Sequence, residues 1–259
     1  MLKGAVRLVD GLYRDPGWRF MRDLDLLVAR ARLPDAIAQL AAAGYGLTQS
    51  AESWPEHHRH LPPLHRHGDA AVVEIHSDVL PKRHDLCPAE QLLGRSRLVE
   101  FDGARVRIPD TVDQLAQLIG HDRFDGYLRR SGTFMLRSVV EAALLCRDAS
   151  TADHLLDRAA DAQMARCVRV RLGLAARLFP QYVRAPAIGV SERLQVGALM
   201  TMERLDQTGR WRRVVWLIRA LFGKLLRSRA EREHLASNIL SLDYGRRSIQ
   251  RLCRVWASQ

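Results

Sequence analysis

The sequence predicts an α+β protein, with a small mixed-sheet α/β domain over residues 1–108 and an all-helical domain over residues 109–259 that ends in a basic segment. Three observations point to this architecture. Up to about residue 83, helical and extended patterns alternate in the order helix, strand, helix, strand, strand. After "RVRIPDT" (residues 105–111) the pattern is helical almost throughout. Hydrophobic residues make up 47% of the chain, enough for a real core, but aromatics only 6%, a balance that favours helices over an all-β fold.

The elements follow in order. Leu2, Val6, Val9 and Tyr13 recur at helical spacing and predict a helix over 1–14, closed by the turn residues of "RDPG". A strand is expected at "DLDLLV" (residues 23–28). A second helix is expected over 34–43, with Pro34 at a favoured early position and "AGYG" closing it. His67-Gly68-Asp69 reads as a turn between two extended segments, the second of which, "AAVVEIHSDV", is the clearest strand. Helices are then expected at 111–121, 123–130, 133–147, 151–162, 163–178, 190–204, 211–226, 230–239 and 244–256, with Asp110-Thr111 and Ser150-Thr151 as caps.

The strand at 23–28 bears the first candidate site. On a helix, Asp23 and Asp25 would point about 200° apart and could share no ligand. On a strand they share one face with Leu27, and Leu24, Leu26 and Val28 form an apolar opposite face. Two carboxylates that close repel unless something positive sits between them, and a hard divalent cation suits that position. In "VVEIH", Glu74 and His76 alternate against Val73 and Ile75, which puts a third carboxylate on a strand able to lie beside the first. Two aspartates and a neighbouring acid form the carboxylate set of a two-metal phosphoryl-transfer site.

With these residues in hand, "LKGAVRLVDGLYRDPGWRFMRDLDLLV", "AIAQLAAAGY" and "HHRHLPPLHRHGDAAVVEIHSDV" resemble the uncharacterised nucleotidyltransferase family of the DNA polymerase beta-like superfamily. The shared features are a Lys-Gly helix start, an Arg four residues before Asp-x-Asp-Leu-Leu-Val, a Gly-Tyr after the next helix and a Val-Glu-x-His strand. "LAQLIGHDRFDGYLRRSGTFMLRSVVEAALL" is similar to that family's helical half, so the likeness covers most of residues 1–150. The resemblance implies a metal-dependent nucleotidyltransferase that moves a nucleoside monophosphate from NTP to an acceptor hydroxyl on a protein, RNA, sugar or small metabolite. It implies that Asp23 and Asp25 hold two Mg²⁺ ions, with Mn²⁺ able to replace them, and that Glu74 holds the ion that activates the attacking hydroxyl. Lys3, Gly4 and Arg19 would bind the nucleotide: Gly4 through close backbone approach, Lys3 and Arg19 by balancing phosphate charge. Two features depart from the pattern. The usual Gly-Ser is Gly4-Ala5 here, without the hydroxyl, and relatives carry more chain ahead of this point, so a misplaced start or a shortened copy is expected. The alternative to an enzyme is a catalytically degenerate nucleotidyltransferase-like module acting as an RNA- or membrane-associated adaptor.

Other histidines and charges have plainer readings. His57, His58, His60, His65 and His67 lack cysteine partners and are interrupted by Pro62-Pro63; some are expected beside Glu74 and the rest in solvent, not around structural zinc. His76 either faces the cleft or caps the sheet. His121 and Glu141 are expected to pack as a polar pair, with a substrate pocket as the alternative. The net charge is +11, and residues 204–254 hold 13 Lys or Arg against four acids, a local excess of +9. With the apolar stripe Trp211, Val214, Val215, Ile218, Leu221, Phe222 and Leu225, this segment reads as a docked helix with a solvated basic face, a weak anionic-membrane contact or an RNA contact. Cys87, Cys146, Cys167 and Cys253 form no C-x-x-C pair and read as reduced thiols of a cytoplasmic protein. "MLKGAVRLVDGLY" lacks the apolar core of a signal peptide, and "VVWLIRALFGKLL" is too short and too charged to span a bilayer.

Overall fold

A computed structural model describes residues 1–48, 59–80, 86–124, 136–160 and 164–207. Helix α1 spans Lys3–Val9, shorter than the 1–14 expected. It stops because Gly11 adopts φ +66, a left-handed conformation that glycine takes without strain. Gly11 N then donates to Leu8 O and Leu12 N to Arg7 O, the Schellman pattern that satisfies the last carbonyls. Asp15 caps a short 3₁₀ turn at Pro16–Trp18, and the chain enters strand β1, Asp23–Leu27.

Helix α2, Leu33–Ala42, ends by the same device: Gly44 has φ +87, Gly44 N donates to Ala41 O and Tyr45 N to Leu40 O. Strands β2 (Gly46–Leu47), β3 (Leu64–His65) and β4 (Val72–His76) complete a four-stranded mixed sheet in the order β1-β4-β3-β2. Only β1 and β4 are parallel, in a register that sets Asp25 opposite Glu74 and Leu27 opposite His76. Strand alternation then sorts the faces. Leu24, Leu26, Val73 and Ile75 pack with Ile37 and Leu40 of α2 in a small core.

Helix α3 (Ala89–Arg95) leads into a hairpin, β5 (Arg97–Phe101) and β6 (Ala104–Ile108), that is not among the elements expected from the sequence. The signal was Asp102-Gly103: both residues have positive φ, 50° and 73°, as a two-residue type I′ turn requires. Helices α4 (Thr111–Phe124), α5 (Leu136–Leu145), α6 (Ala149–Ala160), α7 (Ala165–Leu178) and α8 (Val190–Gln207) follow, and the α+β class stands. Asp110 caps α4 as expected, accepting from Asp113 N at 2.6 Å. Helix α6 is capped by Asp148, ahead of the Ser150-Thr151 expected, with Asp148 Oδ1 accepting from Ser150 N at 3.0 Å. Residues 125–130 of the helix expected at 123–130, and all helices expected beyond 207, lie outside the described residues.

The larger core draws Leu2, Val79, Leu80, Leu86, Cys87 and Leu92 together with residues of α4 to α8. Elements from both sides of the 108/109 division thus share one apolar interior. Cys87 and Cys146 are buried free thiols and Cys167 is a half-buried one. Among the described residues no helix is long and apolar enough to cross a membrane.

Charge also ties this interior together. Asp113 of α4 is fully buried and accepts from Arg95 Nε at 2.9 Å, Arg95 Nη2 at 2.7 Å and Arg158 Nη1 at 2.5 Å, joining α3, α4 and α6. Asp113→Asn should therefore cost about 2 kcal/mol in urea unfolding; both arginines keep some contact with water, which limits the loss. Arg32→Ala, which breaks the exposed Arg32–Asp35 pair, should cost less than about 0.5 kcal/mol in the same measurement. Equal effects of the two substitutions would contradict this account of the core.

Candidate active site

The parallel β1–β4 pair builds the site. Asp25 and Glu74 are register partners, so their side chains leave the sheet on the same face. His76, two residues beyond Glu74, joins them. One ligand atom from each of Asp25, Glu74 and His76 lies within 4.8 Å of the others. His76 Nε2 donates to Asp25 Oδ1 at 2.7 Å and lies 3.5 Å from Glu74 Oε2. Its Nδ1 is buried with no hydrogen-bond partner, so the ring's bonding is all toward the two acids. His76 therefore faces the acids, which settles the two sequence options for it.

Lys3 supplies the positive charge that the paired acids need. Its Nζ donates to Asp25 Oδ1 at 2.6 Å. Burial opposes ionisation of Asp25, but the hydrogen bond from His76 and the Lys3 charge outweigh it and hold the carboxyl below its ordinary range. Glu74 is also held low, first by its hydrogen bond with His76, against burial and the nearby Asp25 charge; His60 and Lys3 add smaller favourable effects. The His60 ring centroid is 5.1 Å from that of His76, which places this histidine beside the acids. His65 and His67 are exposed, and His57 and His58 lie outside the described residues.

Asp23 stands on the same strand face but is exposed and does not belong to the three-residue cluster. Gly4 has a packing reason to be glycine: a Cβ there would sit 2.6 Å from Arg19 Nη2 and 2.8 Å from Met21 Sδ. Arg19 is tied to Glu141 of α5 at 2.9 Å rather than to the acids of the sheet. Glu141 Oε1 also accepts from Tyr13 Oη at 2.7 Å, and its Oε2 lies 2.9 Å from Arg7 Nε. Glu141 was expected beside His121; the side chains seen gathered on it are Arg7, Tyr13 and Arg19, 122 or more residues away. No local pattern announces such a contact.

The donor set suits a divalent cation. The carboxylates of Asp25 and Glu74 offer hard oxygen ligands within reach of a single ion, and His76, whose Nε2 donates to Asp25, holds one of them in place. Lys3 Nζ donates to one of those oxygens, Asp25 Oδ1.

Residues 1–180 match the family model described as uncharacterised nucleotidyltransferase. The chain belongs to this family. No curated protein and no solved structure matches it. The family match runs to residue 180, beyond the resemblance over most of residues 1–150, and takes in helices α4 to α7.

The lowered carboxyls fix a pH dependence. A group with a depressed folded-state pKa contributes stability that is fully present above its unfolded value and is lost as pH falls through the folded value. Without added metal, wild-type stability should hold at neutral pH and fall as pH drops below the ordinary carboxyl range near 4. Asp25→Asn should be less stable at pH 7 by about 1–3 kcal/mol, since Lys3 and His76 lose a charged partner, and should show a shallower acid loss. Chemical denaturation from pH 7 to pH 3 in chelator checks both; a variant more stable than wild type at pH 7 would show that the acids repel uncompensated.

Proposed function

We propose that the protein transfers a nucleoside monophosphate from NTP to an acceptor hydroxyl, with Asp25 and Glu74 as metal-holding acids. The observation that carries this reading is the pairing of those two carboxylates, with His76, on adjacent parallel strands in a nucleotidyltransferase-family chain. Asp23, exposed on the same face, is the further acid of the set. A divalent cation such as Mg²⁺ bound there would neutralise phosphate charge and align the acceptor oxygen with the leaving pyrophosphate. His76 keeps Asp25 oriented by donating to Oδ1. Arg19, fixed by Glu141 against Gly4, and Lys3 carry the positive charge that meets the triphosphate. Ala5 offers no hydroxyl, so these cations and the backbone are the chain's own means of holding phosphate in this reading.

A second reading, a non-catalytic binding module, is favoured by two observations: Asp25 already has a counter-ion in Lys3, and Asp23 stands apart from the cluster. The basic segment 204–254 that would serve such an adaptor lies, beyond residue 207, outside the described residues.

Incubation with Mg²⁺ or Mn²⁺ and each α-labelled NTP separates the two. Transfer predicts pyrophosphate release and a labelled acceptor. Asp25→Asn and Glu74→Gln should each lower turnover by on the order of 100-fold or more, the scale of losing a group that acts in the transition state. Nucleotide binding with no pyrophosphate from any NTP supports the binding module.

A further inference from the structure

We infer that Lys3 is a built-in counter-ion that gives up its place on Asp25 when a divalent cation loads, and reaches the nucleotide phosphates only after that exchange. The inference rests on the proposed role of Asp25 and Glu74 as cation ligands. Its starting point is crowding on one oxygen. Asp25 Oδ1 accepts from Lys3 Nζ at 2.6 Å and from His76 Nε2 at 2.7 Å. A carboxylate oxygen has about two lone-pair sites, so both are taken. A divalent ion binding that oxygen at roughly 2.0–2.6 Å must displace a donor, and it repels an ammonium group left beside it.

The two donors differ in freedom to leave. The His76 side chain is 4% exposed and belongs to a paired strand. The Lys3 side chain is 24% exposed and has four rotatable carbon–carbon bonds leading to water. The Lys3 backbone, by contrast, is held at every polar atom. Its N donates to Gln117 Oε1 at 3.0 Å, its O accepts from Arg7 Nη1, and the preceding Leu2 N donates to Asp25 O at 2.9 Å. These bonds sustain Lys3 at φ 49, a conformation costly for a residue with a side chain. The exchange is therefore a side-chain rotation about a fixed backbone. The freed ammonium stays tethered next to the acids, where an arriving phosphate is its available partner. The order that follows is cation first, nucleotide second.

The test is Mn²⁺ binding without nucleotide, followed by calorimetry and by the free-ion electron paramagnetic signal. With its competitor removed, Lys3→Met should bind Mn²⁺ roughly tenfold tighter than wild type, the usual scale of coupling between two ligands of one site. A role limited to phosphate binding would leave Mn²⁺ affinity unchanged. A second measurement uses the wild-type chain and does not depend on the variant's folding. The sequence has only three lysines, Lys3, Lys82 and Lys224. Saturating Mn²⁺ should raise the rate at which the Lys3 amine is reductively methylated, relative to the other two, by mass spectrometry. The inference is overturned if Mn²⁺ binds Lys3→Met no tighter than wild type, if bound Mn²⁺ leaves Lys3 labelling unchanged, or if neither protein binds Mn²⁺. Exchange without pyrophosphate release from any NTP would support the inference and count against transfer alone; transfer with unchanged Mn²⁺ affinity in Lys3→Met would do the reverse.

Discussion

Burying a pair of carboxylates side by side is the constraint around which this molecule is arranged. Parallel pairing of β1 with β4 forces Asp25 and Glu74 onto one face at adjacent positions, and the Asp25 side chain is almost wholly removed from water. An isolated buried charge is too costly to keep. Its compensation comes from two directions: His76 from the same sheet, and Lys3 from the start of α1. Lys3 reaches Asp25 only because the chain ahead of α1 is hydrogen-bonded to the Asp25 backbone through Leu2 N. The left-handed backbone of Lys3 is held in place by the hydrogen bonds of its own N and O and of Leu2 N.

The same geometry explains why the small sheet does not form the site alone. Its apolar face is closed by α2, while its acidic face includes Leu27, which packs against the larger core. The helical half contributes polar positioning as well as apolar cover. Gln117 of α4 fixes the Lys3 backbone, and Glu141 of α5 gathers Arg7, Tyr13 and Arg19 from the first 19 residues. Removing the helices would leave Lys3 and Arg19 without the groups that aim them. The family match running on to residue 180 fits this dependence, since it covers α4 and α5.

What could be read from the sequence was local, and what could not was distant. Alternation in "DLDLLV" and "VVEIH" was enough to pair the acids on one face, because a strand's period of two leaves no other choice. Gly44 and Gly68 marked turns that the structure contains, at φ +87 and +89. Gly11 was the equivalent signal inside the first helix, and apolar periodicity through Tyr13 concealed it; Tyr13 is aimed at Glu141 from beyond the helix end. Asp102-Gly103 is legible as a hairpin turn, although the helical pattern that follows it is the stronger signal. The Lys3–Asp25, Arg19–Glu141 and Arg7–Glu141 pairs have no local signature at all. Each joins residues 22 to 134 positions apart, brought together by the tertiary fold.

The charge layout that results has two neighbouring parts of opposite sign. Around Glu141, two guanidinium groups face one carboxylate, leaving an excess of one positive charge. Around Lys3, one ammonium faces Asp25 and Glu74, with Asp23 close by in sequence on the same face, leaving an excess of negative charge. Gly4 lies between the two: it follows Lys3 in the chain, and a Cβ there would meet the Arg19 guanidinium at 2.6 Å. A substrate that combines a cation with a polyanion complements both parts at once, and a cation or a phosphate alone complements only one. In the proposed function a divalent cation would relieve the negative excess beside Lys3, and phosphates arriving after it would meet the positive excess around Glu141, so each partner answers one local imbalance that the protein carries by itself.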